Sequence, residues 1–475
     1  MDTKKTLIAG GGLSAMILAR MLKRYRNPHA EIVIVEKEAN LGGQYYGFDY
    51  NGHGYFDIGM HLYYESCIPQ IDELFIDILP QEEWNFLENN QKDVAGVFFN
   101  GRLQQGTPYV DLRNYPRDQW TKYVAGLFSA IKNNGDKEYP AGANAYESLV
   151  LHFGQEIADD IFVPVFEKLY FTHARDLDNA AIHLTTVNRV ALFDESVMTD
   201  LMKSDEIRAR ICYPDQMTLP SYRTSPQRGI YPKQYGMLRV IERLKSILKQ
   251  EGVQFITSSV ISELESENGM VNRATIKNNN GTTTSFTVSE IYWTAGLPSL
   301  AGALKIDNSD LVFEKKKTED VYVNFLFDKK PDMGNLYHFF CFDKGYRSFR
   351  VTNFSNYCPR ASENRGFPLT IEFWTQPDDP KTENEILQLA KKELYDFGVI
   401  NDDYTVLFSK VEKKLGLGFP LPSVRNMENL RIIRKRIQER GIHNIISSGI
   451  FSEDDVFFIQ DVLKDTYKKI SAMPR

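Results

Sequence analysis

The chain has 475 residues, more than one hydrophobic core normally organises, so two or three folding units are expected. Hydrophobic residues make up 42% and charged ones 25%, an ordinary balance for a soluble globular protein, and no apolar run is long enough to span a bilayer. The net charge of −7 excludes the basic excess of a nucleic-acid binder.

Thr6-Leu7-Ile8-Ala9 reads as a short buried strand running into Gly10-Gly11-Gly12-Leu13-Ser14-Ala15, a G-x-G-x-x-A turn. Glycines interrupt the apolar run and no A-x-A-like site follows, so the segment is read as the first strand and not as a signal peptide. A helix comes next, with Leu13, Met16, Ile17, Leu18, Met21 and Leu22 on its apolar side. A second strand, Ile32-Val33-Ile34-Val35, ends on Glu36. Gly10 allows the tight turn, Gly12 lets a pyrophosphate approach the backbone, and Ala15 keeps helix and strand close. The helix N-terminus offers free N–H groups to phosphates, and Glu36 lies where a carboxylate accepts ribose hydroxyls. Together these parts predict an adenine-dinucleotide site, with Glu36 disfavouring a ribose 2′-phosphate.

Beyond Glu36 come Lys37-Glu38-Ala39-Asn40-Leu41-Gly42-Gly43-Gln44 and then Gly54-Tyr55-Phe56-Asp57-Ile58-Gly59-Met60-His61. The second glycine pair suits a flavin, whose diphosphate and ring must lie along bare backbone. In these residues the chain resembles the flavoprotein superfamily of amine oxidases, protoporphyrinogen oxidase, phytoene desaturases and UDP-galactopyranose mutase. Asn40 and Gln44 stand where that superfamily usually has basic residues. Shorter likenesses follow in the same order: Phe56 to His61, Tyr231-Pro232-Lys233-Gln234-Tyr235-Gly236-Met237, and Trp293-Thr294-Ala295-Gly296-Leu297-Pro298. Tyr346-Arg347-Ser348-Phe349-Arg350-Val351 and Phe354-Ser355-Asn356 are similar to the mutase and protoporphyrinogen-oxidase branch.

The resemblance implies an α/β fold, with a discontinuous Rossmann-like FAD-binding domain and a second, α+β substrate domain. Residues 1–65, 226–300 and 440–475 are assigned to the first, and 66–225 and 301–439 to the second. In the first, Leu238 to Leu248 reads as a helix, Val253 to Ile256 as a strand, Asn278 to Gly281 as a hairpin turn and Ile291 to Thr294 as a strand. Asn444 to Ser448 reads as a strand ending at Gly449, followed by a helix from Val456 to Ile470. In the second, residues 66–225 read as largely helical, Ser148 to Lys168 being one helix, and 301–439 as strands such as Val321 to Phe327.

The same resemblance implies FAD contacts along the glycine turn at Gly10, Gly12, Leu13, Ser14 and Ala15, and at Glu36, Lys37, Gly42, Gly43 and Gln44. It places Gly59, Met60 and His61 beside the ring, with Val260, Thr294, Ala295, Gly449 and Val456 completing the contacts. The last helix would aim its N-terminal dipole at the flavin, the Val456 amide being a donor; Ile450 replaces the usual acid or arginine. Asp454 and Asp455 are expected to be N-cap residues. His61 either moves a proton beside the flavin or packs there. Arg228, Arg350, Lys233 and Arg175 either converge on an anionic substrate or are unrelated surface cations, with Tyr222, Tyr231 and Tyr235 as stacking candidates. The catalytic candidates are His61, Arg350 and Arg228.

Cys67, Cys212, Cys341 and Cys358 lack C-x-x-C spacing and read as reduced thiols of a cytoplasmic protein, Cys212 being structural. The histidines at 152, 173 and 183 have no metal-ligand pattern. With one glycine fingerprint and no NAD(P)H domain, three functions stay open. These are an FAD-dependent oxidoreductase on a small molecule, a redox-neutral mutase on a nucleotide sugar, and a non-enzymatic binding protein on the same scaffold.

Overall fold

The computed structural model describes residues 4–135, 143–185, 187–364, 366–376, 379, 381–414 and 421–473. Its first sheet is parallel in the order Gln254–Ile256, Ile32–Val35, Lys5–Ala9, Thr283–Trp293, Ile445–Ser447. Ile32–Val35 is apolar throughout and Lys5–Ala9 from Leu7 onwards, because both faces are covered there. Ile8, Ile32 and Ile34 pack towards the helices Leu13–Tyr25, Leu238–Gln250 and Ile459–Ser471. Leu7, Ala9, Val33 and Val35 pack the other way, against Ile261, Leu264, Val271 and Ile276 of an antiparallel meander.

That meander joins Ser259–Glu267 and Met270–Asn278 to the N-terminal half of Thr283–Trp293. The last strand is therefore longer than the four residues expected from sequence, and it serves two sheets. Its first half alternates polar and apolar residues, which masked the strand signal there.

A second seven-stranded sheet runs Val406–Lys414, Glu319–Phe327, Phe367–Thr375, Ser348–Asn353, His338–Cys341, Ala95–Phe99, Arg102–Gln104. Val321, Val323, Phe325, Phe339, Val351, Ile371 and Phe373 form its core face. The opposite face carries His338, Arg350, Thr352, Thr370, Glu372, Tyr322 and Asn324, and most of these are buried too. A buried polar sheet face lines a site more often than a core. A small antiparallel sheet, Tyr63–Tyr64 with Gly229–Pro232 and Trp84–Leu87, lies at the junction.

Three sequence expectations need correction here. Residues 148–168 do not form one helix: Ala145–Phe153 stops at Gly154, whose φ is +83°, and a π turn at Ala158–Phe162 precedes Val163–Tyr170. Strands at 84–87, 95–99 and 102–104 interrupt the supposedly helical 66–225 region. Two long helices, Glu383–Asp396 and Val424–Glu439, interrupt the supposedly strand-rich 301–439 region.

Candidate functional site

The glycine turn leaves strand Lys5–Ala9 with Gly10 at φ +97°, where a Cβ would lie 2.5 Å from Thr294 Oγ1. Thr294 is fixed there because its amide and its hydroxyl both donate to the Ala9 carbonyl, at 2.9 and 2.7 Å. A Cβ at Gly12 would instead meet open space. The Gly42 amide donates to the Gly11 carbonyl at 2.8 Å and Gly12 bridges to Gly42, so the two glycine segments form one backbone wall. Leu13 and Ala15 are buried behind it, while Ser14 is half-buried at the helix start.

Glu36 is 9% exposed, and its carboxylate accepts from the Gly11 amide at 2.5 Å and the Glu38 amide at 2.8 Å. Lys37 points outward beside Glu38, at 3.7 Å. The Ser259 amide donates to the Glu36 carbonyl, which sets exposed Val260 next to that acid. Gln44, Thr294, Ala295 and Ile450 line part of a cavity of about 350 Å³. Gly449 packs so closely that a Cβ would lie 3.0 Å from the Thr294 carbonyl oxygen. Bare backbone around an open space, with N–H groups and an acid at its rim, fits a dinucleotide diphosphate and ribose.

Asp57 ties two of the short motifs together. It is 1% exposed, receives the Tyr231 hydroxyl and accepts from the Met237 amide at 3.0 Å. Burial raises its pKa to about 6, against the opposing pull of these donors. Tyr231 and Tyr235 are consequently buried around Asp57, and Tyr222 is exposed with its hydroxyl on the Thr199 carbonyl. The stacking role expected for these three tyrosines is thus not supported.

Past Asp57 the chain turns at Gly59 (φ +68°), where a Cβ would lie 2.6 Å from both Arg350 Nη2 and Glu372 Oε1. Arg350 donates in a fork to Glu372, at 2.6 and 3.0 Å. Glu372 faces Arg350 across adjacent strands by register. Half-buried Met60 and His61 follow. His61 packs edge-on against Tyr45 at 4.8 Å, and its Nδ1 has no hydrogen-bond partner among the described residues. Burial, reinforced by the Arg350 charge, lowers its pKa to about 3, so the imidazole is neutral at physiological pH. In that form it can accept or donate a hydrogen bond.

The four candidate cations do not converge. Arg350 belongs to the inner wall. Arg228 is drawn to Glu65 in a fork and lies near Glu88 and over Phe86, and no contact joins it to Arg350 among the described residues. Arg175 sits over Tyr146 at 3.8 Å, in a separate cleft with Lys315 and Arg425. The Lys233 backbone binds Glu83 and Arg360.

The helix expected from Val456 begins at Ile459. The Val456 amide reaches back to the Glu453 carbonyl at 3.4 Å. Asp461 caps the helix by accepting from the amides of Phe457 and Phe458. Asp454 instead pairs with Arg431 and Arg434, so it is not an N-cap. The three residues between Asp455 and Ile459, Val456, Phe457 and Phe458, are β-branched or aromatic and stay outside the helix.

Sequence reasoning missed Asp57, Glu372, Asp93 and His338. The signal was an acid or imidazole alternating with apolar residues inside a strand-like run, as in Leu369-Thr370-Ile371-Glu372-Phe373. All four cysteines are free thiols, with burial raising Cys212 to about 12. No cluster of three or more potential metal ligands occurs among the described residues, and no described helix is long and apolar enough to cross a membrane.

A family profile described as an NAD(P)-binding Rossmann-like domain matches residues 8–75. No curated protein sequence matches the chain. Among solved structures, reduced UDP-galactopyranose mutase superposes with a TM-score of 0.73 at 15% identity, over 99% of this chain and 94% of that one. A protein from Exiguobacterium sp. 255-15, named for protoporphyrinogen oxidase, gives 0.65 at 15% identity over 99% of both chains. A CLA-producing fatty acid isomerase from P. acnes gives 0.57 at 14% identity over 98% of both. The chain has the fold these proteins share.

Proposed function

We propose that this chain binds FAD in the glycine cradle and is an FAD-dependent oxidoreductase acting on a small molecule held against the Arg350–Glu372 wall. One observation carries the reading. The backbone that leaves the dinucleotide cradle passes directly, through Asp57 and Gly59, onto a buried polar sheet face with unfilled hydrogen-bonding positions. Bound FAD would supply a two-electron acceptor at N5 for a hydride. The chain's own residues would hold the reacting bond over that position, exclude water and supply polar contacts. The contacts assigned to Gly10, Gly12, Glu36, Gly42, Gly43, Gln44, Thr294 and Gly449 belong to this proposal. So do the division into a cofactor and a substrate domain and a cytoplasmic location, which the four free thiols support.

A second reading, redox-neutral flavin catalysis on a nucleotide sugar, is favoured by the higher TM-score to UDP-galactopyranose mutase, 0.73 against 0.65. Visible spectra of the purified protein during anaerobic addition of a small-molecule cell extract separate the two. Bleaching of a flavin spectrum supports net oxidation. A spectrum that stays oxidised favours the redox-neutral reading, to be pursued with pre-reduced protein and nucleotide sugars. A protein that takes up no FAD would sink both.

A further inference from the structure

Asp93 lies between the turn Asn89–Gln91 and the strand Ala95–Phe99, and His338 pairs with Ala95 at the start of the neighbouring parallel strand. This register sets the Asp93 carboxylate against the His338 ring. His338 Nδ1 and Asp93 Oδ1 are 4.0 Å apart, longer than a hydrogen bond; His338 is 3% exposed, whereas the Asp93 side chain is 36% exposed and reaches solvent with only its Oδ1 buried. Neither atom has a hydrogen-bond partner of normal geometry among the described residues. The Tyr64 hydroxyl adjoins the Asp93 carboxylate. Buried polar atoms are nearly always satisfied, and a proton on either member would let the two close into one hydrogen bond after a small side-chain movement.

Charged and titratable groups reach the pair from every element packed on it. Tyr64 comes from its own short strand, Lys92 flanks Asp93, and Tyr109 and Tyr337 approach from neighbouring loops. Arg350, held by Glu372, acts on both Asp93 and His338, and on His61 and Tyr357 beyond them. No free carboxylate offsets it at the pair other than Asp93 itself, among the described residues.

We propose that Asp93 and His338 form a proton-uptake site coupled to the cofactor. When FAD in the cradle receives two electrons from an external reductant and one proton, the pair takes one further proton from solvent. The pocket's net charge then stays constant, because two electrons are matched by two protons. Negative charge on a reduced cofactor held in the cradle would cancel part of the positive Arg350 field that keeps the pair unprotonated. Burial already pushes Asp93 up, while burial and Arg350 hold His338 down at about 3. The extra negative charge moves both in the direction of protonation.

The inference rests on the FAD reading, and its test keeps the two apart. The FAD-loaded full chain is titrated spectroelectrochemically with dithionite and mediators between about pH 5.5 and 8.5, bracketing the imidazole range. The reduced cofactor's absorbance, which separates its neutral and anionic forms, is read in the same cell. In the range where the reduced cofactor is anionic, uptake by the cofactor alone lowers the potential by about 30 mV per pH unit, and a second proton makes this about 60 mV. A pH-indicator dye counts the same protons on rapid reduction. The expected result is the steeper slope for the wild type and the shallower one for Asp93→Asn and for His338→Gln. A shallow wild-type slope overturns the proposal without needing any variant. A steep slope that persists in both variants overturns it as well, because another group then takes the proton. Failure of the wild type to hold FAD is failure of the cofactor reading, and the pair's role falls with it.

Discussion

The dinucleotide cradle and the polar wall that faces it are made of opposite materials. The cradle is backbone: glycines, amide donors and one acid, nearly all within forty residues of sequence. The wall is side chain: Arg350, Glu372, His338, Asp93 and Tyr64, brought together from strands far apart in the chain. Backbone recognition tolerates changes in packing but no added Cβ. Side-chain recognition tolerates small shape changes but no unpaired charge. The two regions should therefore fail differently when perturbed.

The largest effect is expected at the wall. Glu372→Ala leaves the Arg350 guanidinium buried without its forked partner, and removing one member of such a pair costs about 3–5 kcal/mol. Chemical denaturation of the two proteins measures it; a loss below about 1 kcal/mol, the range of solvent-exposed pairs, would show that Arg350 is better solvated than its burial implies. In the cradle, Gly10→Val places a branched side chain against Thr294 at a positive φ. About 1–3 kcal/mol of strain is expected, with FAD content falling at least about tenfold. A variant that retains the full flavin spectrum would break the claim that this turn is shaped for the cofactor.

The pH response sharpens the contrast next. His61 and His338 are held near 3, below their unfolded value of about 6.5. Their contribution to stability is complete above pH 6.5 and is lost as pH falls towards 3. Asp57 acts with the opposite sign. Its pKa is raised to about 6, so its contribution is complete below about pH 4 and is lost as pH rises through 6. His338→Gln should accordingly hold its thermal midpoint better than the wild type between pH 6 and 4, and Asp57→Asn should lose the compensating gain over the same interval. Parallel curves for all three proteins would discount both assignments. The smallest effect belongs to Arg228→Lys, outside the wall. A half-exposed pair of this kind is worth about 0–1 kcal/mol, and the flavin potential should not move. A shifted potential would return Arg228 to the site.

How much of this could be read in the sequence follows from the same division. The cradle's recognition elements are local, so spacing alone located the turn, the acid and the second glycine pair. Helix and strand types near it followed from apolar periodicity. Where the pattern was read too smoothly, a backbone event intervened: Gly154 at positive φ within an apolar run, or the three non-helical residues Val456 to Phe458 before Ile459. The wall was hardly legible. Arg350 stood out as a charge in a quoted motif, but its partner Glu372 is set by strand register, and register across a seven-stranded sheet leaves no local trace. Arg228 had the same credentials as Arg350 in sequence; what distinguishes them is Glu65, set beside Arg228 only by the pairing of two strands far apart in the chain.

The strand Thr283–Trp293 carries a consequence for biosynthesis. It receives Lys5–Ala9 on one side and Ile445–Ser447 on the other, with Gly449 pressed on Thr294 immediately afterwards. A nascent chain that has reached residue 440 already owns the glycine turn, Glu36 and the meander, yet its sheet has an open edge at Ile291–Trp293. That edge offers unpaired amides and carbonyls to any passing strand until residue 447 emerges. Closing the sheet therefore depends on a three-residue strand supplied late in the chain.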